Sequence, residues 1–228
     1  MKKIEALIIL ILGMIIAGCS STRISEKKWR PTYRIQAGVN KGGIVENTQF
    51  EASEEIIVDA YSGATRLGAH AGGHVLLPVG NNCIETGADL MFNHQKFTYN
   101  DHNNQFTGKQ TFNLFQAMFP VVYNVGIYRK IHPDGLIQLK FGYLGQLNFL
   151  QQTNSIGTTP EHGINTYSGG VTIGVTSTPF VLQNGSKLGI YFDVYRGGQI
   201  LKDFYNKANY EEPGSSFIKT GLIYQFNL

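Results

Sequence analysis

The closing stretch SSFIKTGLIYQFNL alternates in strict period two, with Ile218, Thr220, Leu222, Tyr224, Phe226 and Leu228 on one side. Phe217, Lys219, Gly221, Ile223, Gln225 and Asn227 fall on the other. Side chains that alternate this way mark a strand with two different faces. Seven further segments share the habit: 33–39, 65–77, 83–93, 111–128, 135–150, 167–180 and 187–196. No amphipathic helix is read after Tyr33. The pattern therefore predicts an all-β chain of eight strands.

The connections sort into two alternating kinds. Long ones cover 40–63, 94–110, 151–166 and 197–215, and short ones cover 78–82, 129–135 and 181–186. The short ones (PVGNN, RKIHPDG, VLQNGS) carry the Asn, Gly, Pro and Asp of tight turns. Such alternation is what an antiparallel up-and-down meander produces when all its long loops lie at one end. A Greek-key sandwich has no reason to produce it.

Two faces emerge when the segments are aligned. One collects Tyr33, Ile35, Val39, Leu90, Phe92, Phe119, Val121, Leu139, Phe141, Ile173, Ile190 and Phe192, and is uncharged. The other collects Arg34, Gln36, Arg66, His70, His74, Glu85, Asp89, Gln116, Asn124, Gln138, Lys140, Asp193, Lys219 and Gln225, with many glycines. Only 15% of the 228 residues are charged, and 27 are glycine. A glycine-rich, amide-rich strand face suits a cramped interior better than open water, since glycine leaves a strand nothing to pack with. The polar face is thus placed inside, where Arg34, Arg66, Lys140 and Lys219 can pair with Glu85, Asp89 and Asp193. The apolar face is placed outside, against lipid. A soluble lipocalin-like lipoprotein, binding an apolar ligand inside, is the alternative and demands the reverse.

The N-terminus reads as a targeting segment. Lys2 and Lys3 precede the uncharged apolar run ALIILILGMIIAG (6–18), too short to span a bilayer and suited to a signal peptide. Residues 1–18 are assigned to that signal, 19–32 to a polar linker holding Trp29, and 33–228 to the barrel. The sequence Ile16-Ala17-Gly18-Cys19 resembles the lipobox of bacterial lipoproteins, which implies acylation of the Cys19 thiol. An ordinary secretory signal ending near a cysteine is the alternative. Acylation of Cys19 would leave Cys83 without a partner for an intrachain disulfide.

Three stretches, GAHAGGHVLLPVGNNCIETGADLMF, NLFQAMFPVVYNV and IKTGLIYQF, resemble small outer-membrane barrels of the OmpX/OmpA type, closest in style to the PorT-like barrels of Bacteroidetes. The resemblance covers residues 33–228. It implies an outer-membrane location, short turns and both termini on the periplasmic side, and long loops outside. It also implies contact with outer-membrane lipid and recognition of the last strand by the barrel assembly machinery. Family members usually close on an aromatic residue, whereas this chain closes on Leu228.

Catalytic and metal chemistry find little support. On one strand face, positions i and i+4 lie about 13 Å apart. His70 and His74 thus cannot share a metal, nor can Glu85 and Asp89 act as a close acid–base pair. Lipid-modifying barrels place Ser and His near the outer rim, and the candidates here are His94, His102, His162, Ser155 and Ser168. GGVTIG lacks the following helix of a phosphate-binding loop. No cofactor, metal or catalytic residue is assigned, and a net charge of +3 is too weak to argue for nucleic acid. The expected role is structural or interaction-based, not that of a large pore, with a partner surface in the loops at 40–63 and 197–215.

Overall fold

A computed structural model of the chain describes residues 30–45, 58–64, 67–101, 106–127, 137–156, 164–200 and 214–227. Nine β-elements make up the wall: β1 (Thr32–Val45), β2 (Val58–Ala64), β3 (Gly68–Val79), β4 (Asn82–Asp101) and β5 (Phe106–Ile127). They continue with β6 (Ile137–Ile156), β7 (Tyr167–Val181), β8 (Lys187–Gln199) and β9 (Gly214–Phe226). All pairings are antiparallel, and β1 closes on β9. β2 and β3 share one wall position: both pair with β4, β3 along Asn82–Phe92 and β2 along Gln95–Asp101. The result is an eight-stranded closed barrel, the fold class the alternation predicts.

The registers fix its dimensions. From Ser216, the paired residues run through Arg196, Val171, Tyr143, Val121, Thr86, Val75 and Tyr33 to Phe226. One circuit therefore returns to the same strand displaced by 226 − 216 = 10 residues. Eight strands with that stagger tilt by about 41° and leave a backbone radius of about 8 Å. Side chains from opposite walls fill such a bore.

Strand length is where the sequence reading needs correction. The connections expected at 40–63, 94–110, 151–166 and 197–215 are partly strand: β1 continues to Val45, β4 to Asp101 and β6 to Ile156, and β5 starts at Phe106. Beyond the apolar zone the outward positions turn polar (His94, Lys96, Thr98 and Asn100 on β4), so the contrast that marks the strands there is lost from the sequence. The backbone ladder needs no such contrast and runs on. Residues 46–57 and 201–213, within two of these connections, lie outside the described residues. The short turn at 129–135 does too.

The other two turns sit at one end of the barrel. Gly80 has φ +59° and Gly185 φ +79°, left-handed values that glycine adopts without strain. The Asn184 side chain accepts from the Ser186 amide at 3.1 Å. Both barrel termini arrive at this same end, where the Thr32 hydroxyl donates to Asn227 at 2.9 Å.

Candidate functional site: the lumen and the apolar wall

Burial follows the two faces read from the sequence. The polar set Arg34, Gln36, His70, His74, Glu85, Asp89, Gln116, Asn124, Lys140, Asp193 and Lys219 is buried. Large apolar side chains stand on the outer surface: Ile173 is 66% exposed, Leu222 69% and Val121 56%. Aromatic pairs gather near both edges of this outer surface. Tyr33–Phe226 and Tyr123–Phe141 lie toward the turns, with Phe92–Phe115 and Phe115–Phe149 toward the loops.

The turn-side half of the lumen holds a charge lattice. The Arg34 guanidinium donates to Glu85 at 2.6 Å, and to Gln138 and Gln225 at 3.1 and 3.2 Å. Asp89 accepts from Lys219 at 2.7 Å and from Gln36 at 2.9 and 3.0 Å. Lys140 donates to Asp193 at 3.0 Å and lies 3.8 Å from Glu85. His74 bridges the two halves of the lattice, with Nδ1 2.5 Å from Glu85 and Nε2 3.1 Å from Asp89. His70 is hydrogen-bonded to the Tyr191 hydroxyl.

Glycines make room for these groups. A Cβ at Gly72 would collide with the Asp89 carboxylate, one at Gly174 with that of Asp193, and one at Gly87 with His74. At Gly72 and Gly174 a carboxylate fills the space a Cβ would need, whereas at Gly38, Gly142, Gly189 and Gly221 the nearest atoms are backbone of the paired strand.

Toward the loops the lining changes. Met91, Met118, Leu144, Tyr195 and Phe217 form an apolar collar, with the Tyr195 and Phe217 rings stacked at 4.4 Å. Register places a layer of uncharged polar groups above it: Asn93, Gln116, Gln146, Asn148, Ser168 and Ser215. Gln116 donates to Asn148 at 2.6 Å, and Gln146 accepts from Ser168 and Tyr195 at 2.7 and 3.0 Å. Several amide atoms of this layer, both of Asn93 among them, have no protein partner.

Of the interior charges read from the sequence, Arg34, Glu85, Asp89, Lys140, Asp193 and Lys219 all belong to the lattice. Arg66 and Cys19 lie outside the described residues. The two rim candidates whose side chains are described, His94 and Ser168, do not converge. His94 is on the outer face, hydrogen-bonded to Asn113, whereas the Ser168 hydroxyl points inward at Gln146. His102 and His162, and the side chain of Ser155, lie outside the described set. Among the described residues no group of three or more His, Cys, Asp or Glu side chains is placed to hold a metal ion. The bridging role of His74 is absent from the sequence reading. Spacing along one strand separates Glu85 from Asp89, and only an inward-pointing ring on the neighbouring strand reaches both.

No protein-family model matches the sequence, and no curated protein does. Among solved structures the chain is similar to outer membrane protein OprG from Pseudomonas aeruginosa, at 8% sequence identity and a TM-score of 0.42, over 88% of this chain and 98% of that one.

Proposed function

We propose that this protein is an outer-membrane β-barrel with a packed lumen, serving a structural or surface-interaction role. It is neither a wide pore nor a catalyst. The supporting observation is the inversion of ordinary burial: ions and amides fill the interior while Ile, Leu, Val and Phe cover the outside. Water-soluble domains rarely expose a continuous apolar patch of this extent, and a closed barrel is one of two architectures able to satisfy every backbone group in lipid. A soluble lipocalin-like barrel would need the opposite distribution, with room inside for its ligand. The charge lattice and the collar occupy that space here.

In this reading the tight turns and both barrel termini face the periplasm. Residues 1–18 are the signal, and Cys19 carries the acyl anchor at the end of a short linker. The loops within 40–63 and 197–215 face outward and offer the surface for a partner, and the assembly machinery inserts the barrel. Carbonate washing and unheated gel electrophoresis test the central statement. The protein should stay with the membrane pellet and run with altered mobility until boiled. Release into the carbonate supernatant would sink the proposal.

A further inference from the structure

The described carboxylate side chains, Glu85, Asp89 and Asp193, all point into the lumen. The outer face is sorted the other way. Among the strand residues whose side chains are described, two full charges stand on it, Lys41 and Arg196, and both are cationic. Each ends an apolar column. Outward positions on β1 read Tyr33, Ile35, Ala37, Val39 and then Lys41, and on β8 they read Leu188, Ile190, Phe192, Val194 and then Arg196.

Register brings the two together. Lys41 is paired with Ile218 across one edge of β9, and Arg196 with Ser216 across the other. The strand stagger sets them at the same height to within about 2 Å, with Cα atoms about 12 Å apart. That separation is within the combined reach of two long side chains. Just above the pair the outer face carries little bulk, with Gly43 opposite Ser216 and then Gly214. A register shift in β8 between Arg196 and Gln199 bends the wall there, and Gly198 beside it is exposed.

We propose that Lys41 and Arg196 form a binding site for a lipid-borne phosphate at the loop-side edge of the apolar wall, with Gly43, Ser216 and Gly214 as its floor. The inference rests on the membrane reading above. An ammonium and a guanidinium at the rim of an apolar surface match a phosphorylated head group whose acyl chains lie along the columns below. The guanidinium supplies paired donors and the ammonium a point charge.

The test uses the full chain in neutral detergent. It is titrated with phosphatidic acid or with phosphatidylcholine of the same acyl chains, and bound lipid is counted by native mass spectrometry. Wild type should bind phosphatidic acid more tightly. K41Q/R196Q should weaken that binding by up to about thirtyfold, toward the phosphatidylcholine value, since each basic residue near a charged leaflet contributes about a factor of five. K187Q, at the turn end, should behave as wild type. Equal retention of phosphatidic acid by K41Q/R196Q would overturn the site, and displacement of the lipid by inorganic phosphate would overturn its assignment to lipid. A gel band without heat-dependent mobility in every variant marks failure of the membrane reading instead. A normal shift without phosphate preference overturns this inference alone.

Discussion

In the half of the lumen nearest the tight turns, three cations face three carboxylates, and His74 is wedged between two of them. In the half nearest the loops, Met91, Met118, Leu144, Tyr195 and Phe217 pack against one another beneath a layer of neutral amides. Both halves bury polar groups in the same bore. The first leaves Arg34 Nε, Gln36 Oε1, His70 Nδ1, Asn124 Oδ1 and Asp193 Oδ1 without a protein partner but gives each of those side chains another bond, whereas the second leaves both polar atoms of Asn93 and one each of Gln116 and Gln146 unmet. The cost of an unmet group explains the contrast. A buried ion without its partner costs several kcal/mol, and a neutral amide about 1–3 kcal/mol at most, less when a water reaches it. Each full charge of the lattice keeps at least one partner of opposite sign, whereas the Asn93 amide is buried with none.

That contrast can be broken in order of expected effect. Asp89→Leu strands Lys219, Gln36 and His74 at once and should destabilise the barrel by about 3–5 kcal/mol, read from urea unfolding in lipid vesicles. Phe217→Ala removes half of the stacked pair in the collar and should cost about 3 kcal/mol. A smaller loss from Asp89→Leu than from Phe217→Ala would mean that charge pairing does not hold the lower half. Gly72→Ala pushes a methyl group into the Asp89 carboxylate and should cost about 1–3 kcal/mol through forced repacking. Combining it with Asp89→Ala, which removes the carboxylate the methyl meets, should cost less than the sum of the two single changes. Asn93→Leu, in the amide layer, should change stability by less than about 1 kcal/mol, because it deletes two unmet groups and keeps the volume. A loss as large as that of Asp89→Leu would place the amide layer under the same constraint as the lattice.

Much of this arrangement can be read from the sequence, and the unread part is instructive. Alternation alone assigns Arg34, Glu85, Asp89, Lys140, Asp193 and Lys219 to one face, and the glycines among them identify that face as the cramped one. Partner choice is not readable. Lys219 meets Asp89 across 130 positions and Arg34 meets Glu85 across 51, so each pair depends on the stagger of the whole barrel. The stagger accumulates over eight registers, and alternation fixes only the parity of each, not its value. The apolar collar is hidden for a related reason: Met91, Met118 and Leu144 sit on the polar face and read as exceptions until the registers bring them to one height. The long β4–β5 hairpin is missed because hydrophobic contrast ends at Phe92 and Phe115, while pairing continues to Asp101 and Phe106.

The seam between β1 and β9 has a kinetic side. Every other wall contact joins elements next to each other or one apart in chain order, whereas the seam joins Tyr33 to Phe226 and runs from there to Val45 and Gly214. Closing so long a loop is entropically slow and comes late. Until then β1 and β9 each present an unpaired edge, the kind that captures other chains. Lys219 rides on β9, so Asp89 waits for the same event to gain its cation. Backbone pairing of the last edge and neutralisation of the last buried carboxylate are then one step, which makes closure a cooperative latch and leaves the nearly finished barrel as its most aggregation-prone state.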